Sequence, residues 1–215
     1  MISQTDITHT LLHAAARKAM KDCPEIIFEL TNLTRTKVIR GRHLKDLSEA
    51  QRRKIIPSQM NITSKVDPTS DGTGRTPTTK AKARFVAEGN CQDRSPYTCS
   101  DTTSPTCSIT GLFAHAAMVS LENEEVVVTD FTCAYLNAAM PKSDPDKLVF
   151  VRIDAFITSM LITVDPSMKK FVTISGTLIV ELDKALYGCI ESARLWFNEI
   201  TSTLKNMGFI ATHVS

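Results

Sequence analysis

The chain is 215 residues long, enough for one ordinary domain or one compact domain with an appended arm. Hydrophobic residues at 42% and charged residues at 22% exclude an intrinsically disordered chain and a fibre. A formal net charge of +2 selects no partner by itself, so the placement of charge matters more than its sum.

The longest apolar-rich run, Ala155–Val164, is interrupted by Thr and Ser and falls short of the roughly 20 residues a spanning helix needs, so no membrane partner is expected. The opening residues place Asp6 early and lack a basic-then-apolar leader pattern, which makes a cytoplasmic or nuclear location the expectation. Arg35, Lys37, Arg40, Arg42, Lys45, Arg52, Arg53 and Lys54 stand against only Asp46 and Glu49, and Arg75–Arg84 carries no acid at all. Such runs suit a phosphate-bearing partner and equally a solvated surface. None of the six cysteines forms a C-x-x-C pair, and reduced, buried thiols are expected. His9 and His13 stand at i, i+4 without a third ligand.

Taken in chain order, Thr5 or Asp6 caps a first helix that ends near Cys23-Pro24, and Glu25–Asn32 reads as a second. Ser48 and Gln51 form a capping box before a short helix that must stop by Pro57. Met60–Val66 and Lys80–Glu88 alternate as strands, joined by a Pro-, Gly- and Ser-rich turn over Asp67–Thr79. On the second strand Lys80, Lys82 and Arg84 share one face, opposite Ala81, Ala83 and Phe85. A basic face over an apolar one suits a polyphosphate, and suits just as well an edge strand defended by cations. Ser104-Pro105-Thr106 reads as the start of a core helix through Ile109, Leu112, Phe113, Ala116, Ala117 and Leu121. Glu125–Tyr135 reads as a buried strand, Leu148–Ile153 and Gly176–Leu182 as further strands. Glu191–Met207 is a helix with Trp196, Ile200, Thr203, Leu204 and Met207 on one face, closed by Gly208.

Asp130 is the most informative position, because a carboxylate after Val126-Val127-Val128 must be paired, protonated, exposed at a strand end or bound to a cation. Ala134 and Tyr135 follow on the turn, where a planar substrate could lie against the ring.

VVVTDFTCAYLNAAM resembles the first catalytic-aspartate motif of the reverse transcriptases of Ty1/copia-type retrotransposons. LDKALYGCIESARLWFNEI is similar to that family's Leu-Tyr-Gly motif with its following helix, and KAKARFVAEGNCQDRSPY to its fingers strand. SEAQRRKIIPSQM and the Ser-Pro-Thr at 104–106 fall in the same order, so the resemblance runs from Arg35 to Phe209. It implies an α+β fold: an incomplete right-hand polymerase, fingers and partial palm, with an antiparallel sheet backed by helices. Residues 1–58 would be a helical arm leading into the fingers, 59–125 the fingers hairpin and first palm helix, and 126–215 the partial palm.

The same resemblance implies nucleotidyl transfer from a dNTP to a primer 3′ end on an RNA or DNA template, by a two-metal scheme. Asp130, with the Phe131 carbonyl, would bind Mg2+ through oxygen. Lys82 and Arg84 would grip the β- and γ-phosphates, and Tyr135, after Ala134, would exclude a 2′-hydroxyl. Tyr187 and Gly188 would lie beside the incoming base, and a plain strand-to-helix corner is the lesser alternative for this Tyr-Gly pair. The parent would be a polyprotein, and a virus-like particle the compartment of an active element. The family completes its metal site with two adjacent aspartates, and no Asp-Asp pair occurs in these residues, while Asp154, Asp165 and Asp183 stand singly. A chain with one such carboxylate is expected to lack polymerase activity and to leave a sheet edge exposed. A non-catalytic nucleic-acid-binding remnant and a structural or interaction domain are the other uses for the same basic segments.

Overall fold

The computed structural model describes residues 23–66 and 79–210. The first expected helix, the His9–His13 pair and the turn around Asp71-Gly72 lie outside these residues.

Helix α1 (Pro24–Arg35) opens with proline at its first position, carries Glu25 in its first turn and Arg35 in its last, as the helix dipole favours. Ile26, Leu30 and Leu33 form its buried stripe. Strand β1 (Ile39–Arg42) follows, then helix α2 (Glu49–Arg53), whose Ser48–Gln51 capping box forms as expected. Strands β2 (Ile56–Val66) and β3 (Thr79–Ala87) pair antiparallel along Ser58–Val66 and Thr79–Ala87. The short helix α3 (Cys99–Thr102) and helix α4 (Ile109–Glu122) come next, then strand β4 (Phe150–Ile153), helix α5 (Ala155–Val164), strand β5 (Leu178–Leu182) and helix α6 (Ser192–Asn206).

The strands lie in the order β1-β5-β4-β2-β3. Three neighbouring pairs are antiparallel, but β2 runs parallel to β4 through Ile56 opposite Val151 and Pro57 opposite Arg152. The fold is therefore α+β with a mixed sheet backed by helices, and the expectation of a purely antiparallel sheet is corrected. β2 belongs to two ladders in turn: its first residues pair with β4, and from Ser58 onward it pairs only with β3. The core gathers Ile26, Leu30 and Leu33 of α1, Val151, Val180 and Leu182 of the sheet, and Ile157 and Leu161 of α5. Asp154 caps α5 by accepting from Phe156 and Ile157 N–H. Every residue of β5 is buried, its four apolar side chains and its one acid alike. Its one acid, Glu181, is ion-paired with Arg40 at 2.8 Å and Lys142 at 2.6 Å, while Arg42 Nε stands 3.0 Å away without hydrogen-bond alignment.

Two expected core elements are not core. Helix α4 forms, but its cap is Ser108 rather than Ser104, and Ile109, Leu112, Phe113, Met118 and Leu121 all face solvent. Glu125–Tyr135 is not a strand: Val128 is 91% exposed, and among the described residues no backbone hydrogen bond joins Glu125–Asp130 to another segment. A valine run becomes a strand only when another strand satisfies its peptide groups. The expectation of buried cysteines is also corrected. Cys189 is buried, Cys23 and Cys133 are half-buried, and Cys91, Cys99 and Cys107 are exposed. On α6, Trp196 packs against the core as expected, but Met207 is exposed. Among the described residues no helix is long and apolar enough to cross a membrane.

The corner between β5 and α6 is held by glycine. Gly188 has φ +91°, and a Cβ there would lie 1.9 Å from the Ala87 carbonyl oxygen. A Cβ on Gly89 would lie 2.0 Å from the Gly188 carbonyl oxygen. Both contacts are with backbone, which cannot swing aside. Replacing Gly188 by Ala combines positive-φ strain with overpacking and is expected to destabilise the fold by about 3 kcal/mol. Urea unfolding of the variant beside the parent chain measures it, and an unchanged midpoint would refute this account of the corner.

Candidate functional site

Strand β3 is the last strand of the sheet, and its alternation separates two chemistries. Ala83, Phe85 and Ala87 are buried under α1, whereas Lys82 and Arg84 are exposed on the opposite face, as expected. The outward backbone of β3 does not wait for a further strand. Phe85 N–H donates to Glu29 Oε1 of α1 at 3.1 Å, and Ala87 N–H donates to the Tyr187 carbonyl at 2.8 Å. These two contacts cap the open edge at its inner end.

The second contact brings the Tyr187-Gly188 corner to the cationic face. The Arg84 guanidinium carbon lies 5.5 Å from the Tyr187 ring centroid, within cation–π range. Tyr187 in turn meets Tyr135 with centroids 5.2 Å apart, tilted by 48°. Tyr135 is placed by a single 3₁₀ turn, Ala134–Asn137, entered through Cys133 in the left-handed conformation at φ +54°. Residues from three distant stretches therefore meet: Arg84 with Lys82 beside it, Tyr135 with Ala134 before it, and Tyr187 with Gly188. The glycine at 188 is required by its contact with β3, so the corner accounts for it without a bound molecule.

Asp130 and Phe131 sit differently. Phe131 is 43% exposed and meets the Trp196 ring edge-on at 5.4 Å. Asp130 is exposed on the irregular Glu125–Asp130 stretch, not at the end of a buried strand, and has no ion pair or hydrogen bond among the described residues. The other single aspartates are occupied: Asp154 and Asp165 cap helical turns, and Asp183 pairs with Arg40 and Lys142. Among the described residues no three His, Cys, Asp or Glu side chains gather to hold a metal ion. A lone exposed carboxylate does not fit a two-ion site.

Two acids that sequence reasoning passed over shape this region. Glu29 is only 7% exposed and forms no ion pair among the described residues. Burial raises its proton affinity, offset in part by the Phe85 N–H and by the positive charge of Arg84 and Lys82. Burial likewise raises the Cys133 thiol and the Tyr187 phenol, with Glu29 adding to both. A signal for Glu29 did exist: it lies three residues after Ile26 and four before Leu33, on the apolar stripe itself. Glu191, just before α6, is 2% exposed and accepts from Gln92 Nε2 at 2.9 and 3.1 Å and from Tyr97 O–H at 2.8 Å. Gln92 Oε1 accepts from Ile190 N–H, which closes the network. Burial and the neighbouring Glu191 push the Tyr97 phenol well above its ordinary value, so it stays a donor. A separate open cleft of about 800 Å3, lined by His43, Lys45, Arg52 and Phe171 beyond β1, contains none of the residues chosen from sequence.

No family model, curated protein or solved structure matches the chain.

Two outcomes follow from the buried acids. Tyr97→Phe removes one donor from Glu191 and is expected to cost about 1–3 kcal/mol in chemical denaturation, with no cost if Glu191 is free to find water. For Glu29, the folded chain binds the proton more tightly than the unfolded one. Its contribution to stability therefore falls as pH rises from the ordinary glutamate value of 4.5 through the raised folded one. Glu29→Gln should remove that decline, so the difference in unfolding midpoint between the two proteins should grow with pH and then level off. Parallel curves would contradict the assignment.

Proposed function

We propose that the chain is the nucleotide-gripping portion of an RNA-directed DNA polymerase of the copia-type retrotransposons. The observation that supports this most is the meeting of Arg84, Tyr187 and Tyr135 across three stretches far apart in the chain. In that use, Lys82 and Arg84 contact the triphosphate from the exposed face of β3, where no acid side chain pairs with either among the described residues. Arginine suits the task through its fixed fork of donors and lysine through its compact charge. Tyr135 stands where a ribose would approach and selects against the 2′-hydroxyl. Tyr187 offers a ring for the base, and the tight corner at Gly188 lets the chain pass under it. Template-primer phosphates would meet the exposed cations of the same ribbon.

Any Mg2+ would have to come with a bound triphosphate and would find only Asp130 and the Phe131 carbonyl as oxygen donors here, which do not by themselves make a two-ion site. No group of three or more His, Cys, Asp or Glu side chains gathers among the described residues, so no chemical step is assigned to the chain itself. One observation favours the interaction-domain alternative: the apolar side chains of α4 and Val126–Val128 face solvent.

Fluorescence anisotropy of a labelled dATP decides between these uses. Arg84→Ala should weaken binding by roughly 10- to 100-fold, the value of a lost charge-assisted contact. Tyr135→Ala should narrow the preference for dATP over ATP, and templated incorporation should be absent throughout. Equal affinity for dATP in the parent and Arg84→Ala proteins, or none in either, would refute the proposal. Binding of oligonucleotide alone, steeply weakened by salt and indifferent to Asp130→Asn, would indicate a non-catalytic nucleic-acid binder.

A further inference from the structure

Glu29 is a buried acid placed behind the very strand that presents Lys82 and Arg84. Its carboxylate touches β3 through the Phe85 N–H, one residue past Arg84, and it has no cation of its own among the described residues. Charged and titratable groups face it from several elements. β3 contributes Lys82 and Arg84, whose charge acts on Glu29. The Cys133 turn contributes a thiol and the β5–α6 corner contributes the Tyr187 phenol, and Glu29 acts on both. Arg35, at the end of the same helix, acts on Cys133. Helix α5, which also packs against α1, carries no titratable side chain between Ala155 and Val164.

A buried charge is screened less than one in water, so Glu29 still acts on Lys82 and Arg84 although both are exposed. We propose that Glu29 sets the affinity of the Lys82–Arg84 face for polyphosphate: ionised, it offsets part of the positive charge an incoming triphosphate meets, and protonated, it releases that charge. This rests on the nucleotide-gripping role proposed above. By linkage the effect is reciprocal, so a bound triphosphate favours proton uptake at Glu29. The anion and the proton then arrive together. Burial, which already favours the protonated carboxyl, makes the exchange accessible.

The test uses the full chain, inorganic tripolyphosphate as the probe, and titration calorimetry in two buffers of different ionisation enthalpy. Glu29→Gln is the informative variant, because the amide oxygen still accepts from Phe85 N–H and the strand keeps its support. At about pH 8 the variant should bind about tenfold more tightly than the parent, within the usual span of coupling between sites. At about pH 5 the two affinities should converge, and between these pH values, where Glu29 changes ionisation, the parent should take up more protons on binding than the variant. The probe's own protonation is common to both proteins and cancels in the comparison. Equal affinities at both pH values and equal proton counts between them would overturn the proposal. So would a variant that binds more weakly at both, since Glu29 would then only brace β3. Absence of tripolyphosphate binding in either protein would instead remove the nucleotide-gripping role itself.

Discussion

The organisation of this molecule turns on the seating of the Tyr187-Gly188 corner against the end of β3. Two backbones meet there closely enough that neither Gly188 nor Gly89 has room for a methyl group. The Ala87 N–H to Tyr187 carbonyl bond fixes the register of the contact. Without it, β3 would be an ordinary exposed edge and Arg84 would have no ring to lie over. With it, the turn that carries Tyr135 and the helix that carries Trp196 are both referred to the same strand end. Glu88 N–H donates to the Pro57 carbonyl, which extends the tie back into β2 where that strand leaves the main ladder.

Three buried glutamates surround this arrangement, and each is accommodated by a different means. Glu181 is neutralised by arginine and lysine side chains on the neighbouring edge. Glu191 is held by neutral donors from Gln92 and Tyr97. Glu29 has one peptide N–H and only the more distant field of Lys82 and Arg84. The first two solutions are rigid, since loss of a partner strands a charge inside the protein. The third is soft: a carboxyl with a single donor changes its ionisation at less cost than one surrounded by cations.

Local chemistry was legible in the sequence wherever an element supplies its own partners. The Ser48–Gln51 capping box, the two-faced pattern of β3, the strand within Gly176–Leu182 and the Gly208 stop all form as their residues require. Legibility ended where an element depends on a distant one. Val126–Val128 has strand-forming side chains and no strand to pair with, and α4 has an apolar stripe with nothing laid upon it. The parallel step between β2 and β4 joins residues roughly a hundred positions apart through two ladder positions, and no spacing rule announces it. Of the residues chosen for chemistry, Arg84, Tyr135 and Tyr187 converge, whereas Asp130 stands on the exposed stretch, because its position depended on the strand that does not form. Glu29 was overlooked because an acid in a helix is usually a surface residue.

The distribution of thiols has a practical side. Cys91, Cys99 and Cys107 are open to solvent along one limb of the chain, whereas Cys189 is enclosed, and burial and Glu191 hold its thiol strongly protonated. In air-exposed buffer the exposed three would cross-link between molecules while the enclosed one stayed inert. Handled under reductant and then treated with a maleimide dye, the protein would take its label first on Cys91, Cys99 and Cys107, ahead of the half-buried Cys23 and Cys133.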